Sequence, residues 1–303
     1  MRIFIVGATG LIGKHLVEKL KEKHQIFIVT REVEKAKKIF GNDISIIHWD
    51  YKNLCSTLTS SLAFADGIIN LAGANVGKRW SEHYKQIINK SRTVTTKYLV
   101  ENMINSGKKF EFFINASAVG YYGSNLSDET FDEDSLPGND FLASVCIEWE
   151  NYAKLAQEVT NQLVITRFGV VFAKKGSALQ KMLLPFKLFV GGIVDTGEQW
   201  LSWIHIDDLV DIIDFIIENK QINGPVNVVA PNSIKNKEFT EIVGKKLRRP
   251  TIFKVPEFAL KLLLSDGSAI LTKGQRVWPK KLIQNNYTFK YSDINQALES
   301  ILK

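Results

Sequence analysis

Gly7, Gly10 and Gly13 recur at three-residue intervals directly after the apolar run Ile3-Phe4-Ile5-Val6. The chemistry open to such a turn belongs to the backbone. Unpaired N–H groups at a helix start, with the helix dipole behind them, favour an anion. In this spacing Gly7 permits a sharp turn, Gly10 lets a pyrophosphate approach the main chain, and Gly13 lets the helix lie close on the strand. Thr9, Leu11 and Ile12 lie between them in the same loop. A second discriminating position lies about 20 residues further on, where a carboxylate normally holds a ribose 2′-hydroxyl. Here the strand Gln25–Thr30 runs into Arg31. A hydroxyl and a guanidinium suit a 2′-phosphate through charge-assisted, forked hydrogen bonds, so the expected cofactor is NADP(H) rather than NAD(H). Asp50, after a third strand, either meets the adenine amino group or caps the turn. Ser117 and the run Gly120-Tyr121-Tyr122-Gly123 follow a fifth strand. Polar groups at the carboxyl end of a central strand are candidates for catalysis.

Strands and helices alternate through residue 171, which predicts an α/β fold: a Rossmann-like, doubly wound parallel sheet. Expected strands are Ile3–Val6, Gln25–Thr30, Ile44–Trp49, Gly67–Leu71, Phe110–Ala116 and Leu163–Val171. The fourth runs into Ala72-Gly73-Ala74, whose small side chains leave room for a dinucleotide across the sheet edge. Helical patterns cover about 81–105, Phe141–Glu158, Asp207–Glu218, Lys237–Leu247 and Glu257–Leu264. The expected domains are 1–171, to which 192–220 returns, and a smaller α/β lobe from 172–191 and 221–303. That lobe is expected to contain a short strand at Val226–Val229 and to cap the carboxyl edge on the substrate side.

The 303 residues suffice for a sizeable core, and 45% hydrophobic with 23% charged residues is ordinary for a globular protein. The net charge of +7 is scattered. Its denser patches, Lys35 to Lys38 and Lys245 to Arg249, lie on helical patterns and read as solvated faces, so no nucleic-acid partner is expected. Two cysteines, Cys55 and Cys146, provide no disulfide framework and fit a reducing, cytoplasmic setting. No apolar run reaches membrane-spanning length, no leader is expected, and no metal site is expected.

Taken together, Gly7-x-x-Gly10-x-x-Gly13, Asn70-Leu71-Ala72-Gly73, Ser117 and Trp203-Ile204-His205-Ile206-Asp207-Asp208 resemble extended short-chain dehydrogenases/reductases. Arg79-Trp80, Ser91-Arg92, Leu183-Leu184-Pro185-Phe186 and Gly274-Gln275-Arg276 resemble, more narrowly, the atypical "epimerase family" subgroup. That subgroup is sometimes labelled a cell-division inhibitor and carries its own C-terminal domain of unknown function. The resemblance covers essentially the whole chain. It implies diphosphate contacts at Gly10, Leu11 and Ile12, a 2′-phosphate site at Thr30 and Arg31, and Leu71, Ala72 and Gly73 along the dinucleotide. Arg92 and Val170 would lie nearer the nicotinamide.

Active short-chain dehydrogenases use Tyr-x-x-x-Lys on the helix after the fifth strand, the lysine lowering the phenol pKa. Here Phe141 and Val145 are expected at those positions, and none of the eight tyrosines has a lysine four residues on. Ser117, Tyr121 and Tyr122 become the replacement candidates. His205 shares that candidacy but is equally suited to cap the helix at Asp207. Arg79, Trp80, Trp203 and His205 are candidates for substrate contact. The expected function is an NADP(H)-binding oxidoreductase or epimerase-like protein acting on a small molecule. The alternative is a non-catalytic NADP(H)-binding redox sensor or interaction protein. Homodimer formation is left open.

Overall fold

The computed structural model describes residues 1–303. Its first half alternates β1 (Arg2–Val6), α1 (Leu11–Leu20), β2 (Gln25–Thr30), α2 (Val33–Phe40), β3 (Ser45–His48), α3 (Ser56–Leu62), β4 (Gly67–Asn70), α4 (Glu82–Asn105) and β5 (Phe112–Ala118). Then follow β6 (Thr130–Phe131), α5 (Phe141–Lys154), β7 (Leu163–Phe168), β8 (Val170–Phe172), α6 (Ala178–Lys187), β9 (Gly192–Val194), β10 (Trp200–Leu201), β11 (Trp203–His205) and α7 (Ile206–Glu218). The remainder comprises β12 (Gly224–Val228), β13 (Ile234–Lys235), α8 (Asn236–Leu247), β14 (Phe253–Val255), α9 (Glu257–Leu264), α10 (Ala269–Thr272), β15 (Arg276–Val277), α11 (Lys280–Gln284) and α12 (Ile294–Leu302).

Seven strands make one parallel sheet in the order β12-β7-β5-β4-β1-β2-β3. The direction of winding reverses between β1 and β4, the crevice where such sheets take ligands. Alternation within β1 divides the core. Ile3 and Ile5 join the apolar layer that holds α1 and α7, while Phe4 and Val6 join the layer under α3 and α4. Both faces are therefore covered, and the strand reads as unbroken apolar sequence. A third apolar cluster, with Phe172, Leu183, Trp203, Phe239 and Leu298, packs α6, α8 and α12 around β8 and β11.

Three expected elements differ. The strand expected over Leu163–Val171 divides at Gly169, because β8 turns away to pair with β11. A Cβ at Gly169 would lie 2.7 Å from the Ser202 carbonyl oxygen, so only glycine lets the chains approach this closely. The helix from Phe141 ends at Lys154 and tightens into a 3₁₀ segment, Leu155–Val159. The strand near Val226, expected in the smaller lobe, belongs to the large sheet: β12 lies parallel to β7, with Val226 opposite Thr166. Its valines read equally well in either sheet, and only the long-range pairing decides. No helix is long and apolar enough to cross a membrane.

Candidate functional site

The three glycines are constrained for different reasons. Gly7 has φ +83°, and a Cβ there would sit 2.8 Å from the Leu71 carbonyl carbon. At Gly13 a Cβ would meet Ala8 Cα at 2.5 Å, so close packing of helix on strand excludes any side chain. Gly10 is the exception. Its φ of −75° suits any residue, and the one atom near its missing Cβ is the Gly7 oxygen at 3.3 Å. Gly10 is exposed and caps α1 without a side chain, and no acid lies in that helix's first turn. The turn thus leaves backbone N–H groups open to a diphosphate on the side where a Cβ would stand. Thr9, Leu11 and Ile12 are half-buried around it.

Arg31 is exposed at the end of β2 and forms no ion pair. Its neighbour Glu32 pairs instead with Lys35 at 3.0 Å, which leaves the guanidinium free for an incoming anion. Thr30 is buried, and its hydroxyl accepts the Glu32 N–H (3.1 Å). Asp50 accepts the Lys52 N–H (3.0 Å) and so acts as a turn cap. On the far side of the switch point, Leu71 donates its N–H to the Val6 oxygen, and the Ala72 N–H reaches Asn70 Oδ1 at 3.2 Å. Gly73 lies against Arg92, whose Cζ would be 3.2 Å from a Cβ there. Arg92 donates to the Ala74 and Ile88 oxygens, each at 3.0 Å, and its guanidinium lies 5.3 Å from the Trp149 ring centroid. No carboxylate pairs with it, and burial lowers its pKa. A cation so placed attracts an anionic or carbonyl group. Val170 sits apart, paired with Trp203 in the β8–β11 ribbon.

The end of β5 differs from expectation. Ser117, expected to face a substrate, points into the sheet: it is 2% exposed and its hydroxyl donates to Glu150 Oε1 at 2.7 Å. Glu150, on α5, accepts two hydrogen bonds from Arg167, each 2.9 Å long. Arg167 stands opposite Ser117 in the β5–β7 register. Its third edge donates to the Tyr122 hydroxyl at 3.0 Å, and that hydroxyl donates to Asn227 Oδ1 at 2.7 Å. Tyr122 is buried, and burial raises its pKa above the usual phenol value. Tyr121 is the remaining candidate. It is half-buried, its hydroxyl has no protein partner, and its ring centroid lies 3.4 Å from Arg167 Cζ.

On α5, the side chains that meet the Gly120 turn are Leu142 and Cys146. Phe141 packs edge-on against Trp80 (5.4 Å between centroids). A Cβ at Gly120 would instead meet Leu142 Cβ at 3.3 Å and Cys146 Sγ at 3.9 Å. These two residues lie one helical turn apart on the inner face. Burial pushes the Cys146 thiol up to about 12, so it stays protonated and inert.

The remaining candidates separate. Trp80 is 4% exposed, with its indole donating to the Val76 oxygen (2.8 Å) and its main-chain N–H to the Leu264 oxygen. Arg79 is exposed and reaches the Leu262 oxygen at 3.3 Å, so this pair joins the cofactor edge to α9. Trp203, expected near substrate, is fully buried against Phe172 and donates to the Asn232 oxygen. His205, the other such candidate, caps α7. Its Nδ1 accepts the Asp207 N–H (3.1 Å), and its Nε2 meets the Ser300 hydroxyl (3.1 Å). Both ring nitrogens are engaged.

Sequence reading missed the second lobe's hold on the Tyr121 turn. β15 pairs with β6, Gly274 and Asn125 exchange main-chain hydrogen bonds, and Gln275 Nε2 donates to the Gly123 oxygen at 2.6 Å. Glu133, buried beside this strap, accepts the main-chain N–H of Asn227 (3.0 Å), and burial raises its pKa. Glu150 was missed as well. A carboxylate on an otherwise apolar helix face, Val145-Cys146 to Trp149-Ala153, was the available signal.

Residues 3–229 match the NAD dependent epimerase/dehydratase family, and residues 255–301 match a domain of unknown function, DUF1731. An Arabidopsis thaliana protein named epimerase family protein SDR39U1 homolog, chloroplastic, is 37% identical over 311 residues, covering 100% of this chain and 87% of that protein. Epimerase family protein YfhF of Bacillus subtilis is 36% identical over 304 residues, covering 100% and 98%. The solved structure of human epimerase family protein SDR39U1 (isoform 2) with NADPH superposes with a TM-score of 0.86 at 30% identity, covering 99% of each chain. UDP-glucose 4-epimerase from Thermotoga maritima shares the fold at 16% identity, with a TM-score of 0.76. With its open Gly10 turn and parallel sheet, the chain belongs to the NAD dependent epimerase/dehydratase family, in the group of epimerase family proteins that also carry DUF1731.

Proposed function

We propose that the protein is an NADP(H)-dependent oxidoreductase acting on a small carbonyl or alcohol substrate. The observation that carries this reading is the contrast among the three glycines: a Cβ at Gly7 or Gly13 would lie under 3.0 Å from protein atoms, whereas at Gly10 the one near atom is the Gly7 oxygen at 3.3 Å. The free Arg31 at the end of β2 favours the phosphorylated cofactor, in keeping with the NADPH named for the human relative. Gly10, Leu11 and Ile12 hold the diphosphate, Arg31 the 2′-phosphate, and Arg92 the nicotinamide side. When bound, NADPH supplies the hydride.

The chain's own part is proton transfer and orientation. The expected Tyr-x-x-x-Lys pair is absent from α5, whose inward positions are Leu142 and Cys146. Tyr121 is the one candidate at the end of β5 with an uncommitted hydroxyl, so it gives a proton to the forming alkoxide. Ser117 and Tyr122 support it from below, and Arg79 and Trp80 border the substrate side. A positioned general acid contributes about 10²–10⁴-fold.

The test is single-turnover NADPH oxidation against a panel of small carbonyl compounds, with wild type and Tyr121→Phe. Turnover by wild type that falls at least tenfold in the variant, at unchanged NADPH affinity, supports the reading. Tight NADPH binding without oxidation across the panel overturns it and leaves a cofactor-binding protein.

A further inference from the structure

We infer that the buried Glu150–Arg167 pair is a positioning device whose task is to hold the Tyr121 ring at the carboxyl edge of the sheet. Each nitrogen of the Arg167 guanidinium is engaged. Nε and Nη2 meet the two Glu150 oxygens at 2.9 Å, and Nη1 meets the Tyr122 hydroxyl at 3.0 Å. Tyr121 covers one flat face of the guanidinium, its ring centroid 3.4 Å from Cζ, while the Tyr122 ring centroid lies further off at 5.2 Å. A guanidinium stacks on an aromatic face in this way, with an attraction that strengthens as water is excluded.

Stability does not account for the pair. Both side chains are at most 3% exposed. Removing two charges from water offsets much of their attraction, and apolar residues of similar volume often hold such a space as well or better. Apolar residues would supply neither a flat cation for Tyr121 nor a fixed donor for Tyr122. Arg167 is also set rigidly. It is an interior residue of β7, in register with Ser117, and Ser117 in turn donates to Glu150. The sheet's own geometry is thereby transmitted to a tyrosine on the turn beyond it.

The placement of Tyr121 is independent of the proposed reaction; its effect on turnover rests on that reading. The test uses the full chain in two backgrounds, Glu150→Met with Arg167→Met, and Arg167→Lys alone. Each is compared with its own Tyr121→Phe counterpart by near-ultraviolet circular dichroism, where a fixed tyrosine gives a band and a mobile one does not. In wild type the difference band is expected to be clear. In both backgrounds it falls by roughly threefold or more, because neither methionine nor lysine offers a planar cation, while NADPH affinity stays within about twofold. If the double variant does not fold, Arg167→Lys, which keeps the charge pair, carries the test. A band of full intensity in a folded variant overturns the inference. Where wild type turns over a carbonyl, kcat falls at least tenfold with KM unchanged; an unchanged kcat beside a diminished band upholds the positioning and removes Tyr121 as the proton donor. A band that depends on Arg167, in a protein without turnover, upholds the positioning role and removes the oxidoreductase reading.

Discussion

The glycine turn and the end of β5 lie at the same edge of one sheet and are built in opposite ways. At the turn, side chains are withheld: Gly10 presents bare backbone, and Arg31 stands in solvent without a partner. At the end of β5 they are accumulated. Ser117, Glu150, Arg167, Tyr122 and Asn227 satisfy one another in a buried chain of hydrogen bonds. The Gly10 N–H is already given to the Gly7 oxygen (3.1 Å), but the first N–H groups of α1 lie beyond the helix's own hydrogen bonds, and such groups can take a charged ligand. A saturated network cannot bind anything new, but it can hold a neighbour still. In the proposed function, ligand capture belongs to the first region and orientation to the second.

The most severe way to break that contrast is Glu150→Ala, which leaves Arg167 as an unpaired buried cation. The expected loss is about 3–5 kcal/mol of folding free energy, read by urea denaturation, with NADPH affinity retained by whatever fraction remains folded. A loss below about 1 kcal/mol would mean that the network is not dry. Arg31→Ala tests the open side. Losing a charge-assisted contact costs about 1.5–3 kcal/mol, so NADPH binding weakens by tens of fold and NADH binding hardly changes; titration calorimetry with both cofactors decides it. Equal losses for the two would remove Arg31 from the 2′-phosphate site.

The glycines sharpen the same point from within one turn. Gly13→Ala forces a Cβ into backbone and is expected to cost about 1–3 kcal/mol in thermal unfolding. Gly10→Ala meets only the Gly7 oxygen at 3.3 Å and is expected to cost less in unfolding than Gly13→Ala, but to weaken NADPH binding at least tenfold. If both variants behaved alike, the turn would not be divided between packing and binding.

The smallest effect concerns His205, at the start of α7. Burial lowers its pKa below 6.5. The unfolded chain therefore takes up a proton first as the pH falls. The stability tied to the neutral ring is present above pH about 6.5 and is lost between there and the lowered folded value. His205→Asn, which retains a capping acceptor, should flatten that part of the stability–pH curve, by on the order of 1 kcal/mol. An unaltered curve would show that the cap does not depend on the ring's protonation.

The geometry of the glycine turn was legible in the sequence and that of the filled region was not, for a physical reason. The constraints on Gly7 and Gly13 come from local backbone geometry, and Arg31 stands a fixed distance along the same βα unit, both of which a linear reading preserves. The network joins Ser117 to Glu150 and Arg167 through an adjacent strand and a covering helix. No spacing rule predicts which of Ser117, Tyr121 and Tyr122 keeps a free hydroxyl. Trp203 and His205 were misplaced for a related reason. Aromatic and imidazole side chains serve cores and caps as readily as sites, and only Phe172 stacked on one and Asp207 donating to the other distinguish the uses. The parallel sheet was readable strand by strand through β5. β12 was not, because its assignment depends on pairing with β7 rather than on its own composition.

The strap that ties Gln275 and Gly274 to the Tyr121 turn bears on the order in which the molecule is made. Every residue of the cradle lies within the first strands, and a growing chain folds from its N-terminal end. Gln275 is synthesised long after Gly10, and until it arrives the Gly123 carbonyl lacks its partner. A nascent chain can thus form its glycine turn while the tyrosine turn still lacks its anchor, and a ribosome that stalls before residue 274 leaves the Gly123 carbonyl without the Gln275 amide.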